Sequence, residues 1–254
     1  MNIPSHLYKY RSLRTKKDRE NTLRILTHKE IYFAKCKDFN DPFDCKFHIP
    51  FDGNPITHKE KLRQLNPGLS EAQIDIQTRK ELQPENIVKW EKELNKRIRL
   101  ETEKYGIFSM SAKRDNLLMW SHYADCHKGI CMEFETTGGK LFGCDFLKVD
   151  YDENYPNLSV YDNPNYEWVR KYLTTKSLDW EYEEEWRIMY EKTGYQLLPS
   201  ENEELSGVIL GARISKTKKE LVLKCLSENN CKAKLYQARE CKDKFGLDIT
   251  LIVK

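Results

Sequence analysis

An α+β fold built on a mixed, largely antiparallel split sheet, with one helical insertion, is the class this sequence predicts. Three observations carry that expectation. Short apolar or alternating runs recur from the first residues to the last in mixed order, without regular alternation of strand and helix. The stretch 55–105 breaks with that pattern, being charged and helical. Gly and Pro number 11 and 9 in 254 residues, too few for a collagen-like or low-complexity chain, and the length suffices for a sizeable core. One domain over 1–254 is expected, with 55–105 inserted into it.

The elements follow in order. His6 to Tyr10 alternates as a first strand, Asp18 to Leu26 carries Leu23, Ile25 and Leu26 on a short helix face, and Ile31 to Ala34 is a second strand. Phe39-Asn40-Asp41-Pro42-Phe43-Asp44 is turn-rich, with Asn and Asp able to cap local backbone groups and Pro fixing one torsion. In the insertion, Pro67-Gly68 and Pro84 punctuate the helices, and Ile87, Trp90, Leu94 and Ile98 fall at spacings of three and four. That spacing predicts an amphipathic helix packed on the body. Strands return at Gly106 to Ser109 and, with alternation, at Gly129 to Phe134, separated by a helix starting near Asn116. Further strands are expected at Leu147 to Tyr151, Trp186 to Tyr190, Val208 to Leu210, Lys234 to Tyr236 and Leu247 to Val253, with helices near 165–175 and 216–227. No internal repeat is visible.

Composition narrows the class. Charged residues reach 33%, yet Lys plus Arg exceed Asp plus Glu by only 43 to 40, so a net charge of +3 marks no dedicated nucleic-acid binder. Local basic clusters, Arg14 to Lys17 and Lys216 to Lys219, read as solvated faces unless they border a site. No apolar run approaches the roughly 18 residues of a membrane span, and the opening residues lack an apolar block before a cleavage site. A cytoplasmic protein away from membranes is expected. The eight cysteines are scattered and include no Cys-x-x-Cys, so reduced thiols and no metal are expected.

No phosphate loop, dinucleotide fingerprint, His-Glu-x-x-His or Gly-x-Ser-x-Gly occurs. Three clusters are candidates for chemistry. In an extended Trp180 to Ile188, Glu183 and Glu185 point to one side, so two carboxylates can share a site; the same run also suits a charged sheet edge. Trp120 to Gly129 gathers His122, Asp125, Cys126 and His127, but the two His are five apart and so leave one helix face. Asp-Cys-His-Lys-Gly there reads as a helix C-cap with Gly129 leading into a strand. Lys9, Tyr10 and Arg11 on one strand with Tyr32 on the next can form a floor for a flat ring, or simply pack as a sheet.

Leu7-Tyr8-Lys9-Tyr10-Arg11, Phe39-Asn40-Asp41-Pro42-Phe43-Asp44, Leu118 through Asp125, His127-Lys128-Gly129 and Trp180 through Arg187 together resemble a bacterial family known only as a domain of unknown function. Asn21 through Leu26, followed by Glu30-Ile31-Tyr32-Phe33-Ala34, resembles the start of the ADP-ribosyltransferase superfamily, with Glu30 standing where that superfamily has Gly. Glu183-x-Glu185 before a strand resembles the Glu-x-Glu signature of its arginine-type branch. The resemblance implies an ADP-ribosyltransferase-like fold and NAD as the substrate that is split. Glu185 would grip the nicotinamide ribose, Glu183 would orient an acceptor and Tyr32 would stack on the ring, with Ser109 competing for that slot. Lys9, Tyr10 and Arg11 would also bind the dinucleotide, while Trp120, His122, Asn40 and Asp41 would line the acceptor side. It further implies a protein or nucleic-acid acceptor, a toxin or phage-defence role and an antitoxin or other protein partner. Two other readings stand beside it: a hydrolase or nuclease centred on His122, Asp125 and His127, and a non-catalytic nucleotide- or partner-binding module. The first reading requires Tyr32, Glu185 and the Lys9 to Arg11 strand to converge on one cleft.

Overall fold

The computed structural model describes residues 3–46, 53–136, 140–141, 143–156, 166–197 and 205–253. The chain opens with β1 (His6–Arg11), α1 (Lys16–His28) and β2 (Glu30–Phe33), then a 3-10 turn at Cys36–Asp38. Three helices follow, α2 (Pro55–Leu65), α3 (Glu71–Glu81) and α4 (Pro84–Thr102). Next come β3 (Gly106–Ser111), α5 (Leu117–Tyr123), β4 (Ile130–Glu135) and the short strands β5 (Lys140–Leu141), β6 (Cys144–Asp145), β7 (Leu147–Lys148) and β8 (Asp150–Asp152). Then α6 (Tyr166–Leu173), β9 (Thr175–Ser177), a 3-10 helix at Leu178–Glu183, β10 (Glu185–Tyr190) and β11 (Gly194–Leu197) lead to β12 (Leu205–Leu210), α7 (Lys216–Glu228), β13 (Lys234–Glu240) and β14 (Leu247–Val253). No helix among the described residues is long and apolar enough to cross a membrane.

The main sheet has the order β14-β13-β12-β4-β1-β3-β10-β7, antiparallel except for the β12–β13 pair, as the mixed strand pattern predicts. Its middle is split. β1 pairs with β4 along its whole length, from His6 opposite Glu135 to Arg11 opposite Ile130, but meets β3 only at Tyr8 opposite Ser111. Beyond that point β1 and β3 part, and the Lys9 ammonium donates across the gap to the Ser109 carbonyl at 2.6 Å. A side chain thus satisfies a backbone acceptor that the divergence has taken from the ladder.

Strand alternation sorts side chains onto two faces. On one, Leu7, Phe108, Met132, Val208 and Leu210 pack under Leu23, Ile25 and Leu26 of α1 and Val222 of α7. On the other, α5 lays Met119 and Trp120 on Tyr10, Cys131 and Ile209, while α6 covers Ile107 and Met189 with Val169 and Leu173. A cleft opens beside α5, over the split. Thr15 caps α1 through a reciprocal capping box with Asp18, so the helix begins before the predicted Asp18. Within 55–105, α2, α3 and α4 pack in turn, and α4 leans on α6. The stripe expected on α4 is only partly covered: Ile98 is buried, whereas Trp90 keeps 40% of its surface.

One local expectation is corrected. The strand around 130–135 is buried on both faces rather than alternating, because α1 and α7 cover one side and α5 the other. After α5 the chain turns and Gly129 leads into β4, as expected, but Gly129 itself is not left-handed. That conformation falls on three consecutive residues, Asp125, Cys126 and His127, with φ of 51°, 52° and 67°. Lys218 of α7 holds Asp125 at 3.0 Å, and the Gly129 amide donates to the Ala124 carbonyl at 2.8 Å. Gly129 is required for another reason: a Cβ there would collide with the Arg11 and Ala124 carbonyls. Gly129→Ala should therefore destabilise the fold by about 1–3 kcal/mol, the usual range for overpacking, read as a lower denaturant midpoint at unchanged slope.

Candidate functional site

The cleft over the split encloses about 400 Å³ and is lined by residues from several segments singled out in the sequence: Lys9 and Arg11 of β1, Tyr32 of β2, Asn40 and Asp44 of the following loop, Ser109 of β3, His122 and Tyr123 of α5, and Glu183 and Glu185. The first condition set by the sequence, convergence of Tyr32, Glu185 and the β1 strand, is met in geometry. Tyr32 stands at the mouth, 40% exposed, with its ring 5.1 Å from Tyr195 of the paired β11. Asn40 Nδ2 donates to the Tyr123 hydroxyl at 3.4 Å.

Glu183 and Glu185 do share a site, though not by strand alternation. Glu183 ends a 3-10 helix, Glu184 takes a left-handed conformation with φ of 43°, and Glu185 begins β10. The kink turns both carboxylates toward Lys176 of β9, whose ammonium donates to Glu183 at 2.5 Å and to Glu185 at 2.9 Å. Arg187, fully buried, completes the cluster. Its Nε donates to Glu185 at 2.8 Å, its two terminal nitrogens grip Asp44 at 3.1 and 2.6 Å, and one of them also reaches the Leu173 carbonyl at 2.6 Å. Tyr123 donates its hydroxyl to Glu183 at 2.6 Å, and the Glu185 amide donates to the Tyr151 hydroxyl at 2.8 Å.

Three buried carboxylates thus face two buried cations, and the surplus negative charge falls unevenly. Burial alone would raise the Glu185 carboxyl, but Arg187 and Lys176 outweigh it and hold it well below the usual carboxylate range. Glu183 moves the other way: burial, with Glu185 beside it, raises it despite Lys176 and Tyr123. Burial likewise acts to lower Lys176, but Glu185 and Glu183 raise it. Burial, with Arg11 nearby, brings Lys9 down to about 7 against the pull of Glu185 and Glu183.

Other placements correct the sequence reading. Trp120 does not line the cleft; it is fully buried, edge-on to Tyr10 at 5.3 Å, with its indole N–H on the Arg114 carbonyl at 2.9 Å. Tyr10 borders the cleft but is itself 4% exposed and spends its hydroxyl on the Lys113 carbonyl. Asp41 faces a neighbouring cavity, because its Oδ1 accepts the Phe43 amide at 2.8 Å and turns the loop. His122, Asp125 and His127 do not assemble into one unit. His122 lies in the cleft, Asp125 is held by Lys218, and His127 stacks on Trp120 with Ser121 at 3.3 Å from its Nε2. Lys176, Arg187, Asp44, Tyr123 and Tyr151, which hold the acidic pair, are not among the predicted site residues, although Asp44, Tyr123 and Arg187 lie within the quoted motifs.

Residues 119–188 match the model of a family described as a protein of unknown function, DUF2971. The matched stretch runs from α5 into β10 and so contains Tyr123, Lys176, Glu183, Glu185 and Arg187. This supports the likeness to a family of unknown function and carries no activity with it. Neither a curated protein nor a solved structure matches the chain.

Two predictions follow from the buried charges. Asp44→Asn removes one of the two anions that Arg187 pairs with, leaving Glu185, and should cost about 3–5 kcal/mol, as breaking one partner of a buried pair does, measured by urea unfolding. Glu185 contributes stability that is present above its ordinary value of 4.5 and lost as pH falls below it. The melting temperature of the wild type should therefore drop steeply below pH 4.5, whereas Glu185→Gln should melt lower at neutral pH and show a shallower acid limb.

Proposed function

We propose that the cleft binds a nicotinamide dinucleotide and transfers its ADP-ribosyl group to a protein or nucleic-acid acceptor. The observation that supports this best is the meeting, over a split sheet, of an exposed aromatic ring (Tyr32), basic side chains (Lys9 and Arg11) and an adjacent carboxylate pair (Glu183 and Glu185) in one cavity. Its volume of about 400 Å³ lies within the usual range for small-ligand sites.

The chemistry asked of the residues is specific. The bond between ribose C1′ and the nicotinamide nitrogen breaks, its electron pair passes to the ring, and positive charge develops on the ribose. Fixed negative charge next to that centre lowers the barrier, as in glycoside cleavage. Glu185 serves here through its field: its oxygens are already taken by Lys176 and Arg187, so the direct grip on the ribose that the resemblance implies would require those bonds to yield. Glu183, raised above its ordinary value and hydrogen-bonded to Tyr123 and Lys176, is the group suited to receive the proton that an acceptor loses as it bonds to C1′. Tyr32 stacks on the leaving ring, Ser109 offers an alternative contact, Lys9 and Arg11 face phosphate, and His122 with Asn40 border the acceptor.

The saturation of Glu185 by two internal cations also favours a second reading, a nucleotide-binding module without turnover. One experiment separates the two. With labelled NAD and pools of protein, RNA and DNA, the enzyme reading expects nicotinamide release and label transfer, lowered on the order of 100-fold in Glu183→Gln, the scale of a lost acid-base group. Tyr32→Ala should weaken NAD binding about tenfold, the worth of one aromatic contact. NAD binding without nicotinamide release in any pool would leave the module and sink the enzyme.

A further inference from the structure

Beside the cleft, across the Asn40 to Asp44 turn, lies a second cavity of about 530 Å³ that shares one wall residue, Lys176, with it. The character of its lining is different. Asp41, Asp152 and Asp179 bring carboxylates, and Phe43, Trp180 and Tyr182 bring aromatic surface. Lys176 is the basic side chain among its lining residues, and its ammonium is spent on Glu183 and Glu185. The cavity is therefore strongly anionic, which excludes a phosphate or carboxylate ligand.

Asp41 sharpens the case. It is only 9% exposed as a residue, its Oδ1 takes the Phe43 amide, and its Oδ2, without a hydrogen-bond partner among the described residues, is open to solvent. An acceptor oxygen left open on the cavity wall is available to a cationic donor there. The aromatic wall suits the same ligand. The Trp180 ring already carries the Lys176 ammonium 5.0 Å from its centroid, and Tyr182 lies 6.0 Å from Trp180 at 41°. A bare metal ion does not fit, because no three His, Cys, Asp or Glu side chains among the described residues converge to hold one.

We infer that this cavity binds an organic cation, a guanidinium or alkylammonium group, with Asp41 and Asp179 as its anionic contacts and Trp180 as its aromatic one. The inference does not rest on ADP-ribosyl transfer, and binding here is measurable in the absence of NAD. A polypeptide side chain and a free polyamine share this chemistry, so both are tested.

Isothermal titration of the full chain with agmatine, with spermidine and with acetyl-Gly-Arg-Gly-amide, beside uncharged butyramide, decides it. The expected result is one site for agmatine, none for butyramide, and affinity reduced about tenfold by Asp41→Asn and by Trp180→Leu, the scale of one lost charge or cation-aromatic contact. Because Asp179 is exposed, Asp179→Asn gives a variant that keeps the fold and should weaken agmatine in the same direction. Tighter binding of the peptide than of spermidine assigns the site to a polypeptide side chain, and the reverse order assigns it to a polyamine. Absence of heat with every cation, equal binding of butyramide, or unchanged affinity in folded Asp41→Asn and Asp179→Asn would overturn it.

Discussion

The two cations Lys176 and Arg187, buried among Asp44, Glu183 and Glu185, are the contact on which the rest of the site depends. Each carboxylate comes from a different local structure: a turn, the end of a 3-10 helix and the start of a strand. Buried charges of this kind are costly unless paired and hydrogen-bonded, so these segments are held in place by what their separation would expose. Arg187 ties β10 to the loop ending at Asp44 and to the carbonyl closing α6, while Lys176 ties β9 to both acidic residues. The cluster thus acts as a joint between the sheet and the irregular backbone over one of its faces. It also separates two cavities that differ in charge.

The split between β1 and β3 is the second constraint, and it explains why a cleft exists at this position in an otherwise continuous sheet. Once the strands part after Tyr8 and Ser111, residues of opposite strand parity become accessible from one opening. Ser109, Glu185 and Arg187 belong to the face under α5 and α6, whereas Lys9 alternates toward the face under α1. Lys9 reaches through the gap to the Ser109 carbonyl instead of being sealed beneath the sheet. Its ammonium lies 4.9 Å from the Phe108 centroid, so it is both a strut across the split and a dehydrated base at its rim.

How far these features can be read from the residues depends on whether the cause is local. The helix caps at Thr15, Ser70 and Asn116, the strand runs and the charged helical stretch all follow from short-range chemistry, and they appear where their patterns lie. The meeting of β1, β2, the Asn40 to Asp44 loop and the acidic pair was also legible, through motifs scattered along the chain. What was not legible is long-range pairing. Lys176 sits in an unremarkable Thr-Lys-Ser, and only the fold shows that it neutralises Glu183 and Glu185. Trp120 misled for the opposite reason: a large aromatic between candidate polar residues suggested a site wall, but its position on the inner face of α5 directs it onto Tyr10. The left-handed run at Asp125, Cys126 and His127 breaks local preference, and Lys218, 93 residues away, helps to hold it.

The arrangement of charge limits what chemistry the cleft can support. Glu185 is anchored on both oxygens and strongly acidic, so it suits a permanent negative field better than a ligand grip that forms and breaks. Glu183 is also held on both oxygens, by Tyr123 and Lys176, but burial and its neighbour raise it, and its Tyr123 partner lies on the helix that forms the other wall. A proton can therefore be gained or lost at Glu183 while Glu185 stays ionised, because the same two cations bias the pair unequally, Arg187 contacting only the second of them. Division of labour between two carboxylates arises here from unequal pairing with fixed cations, and it would be lost if Lys176 alone served both.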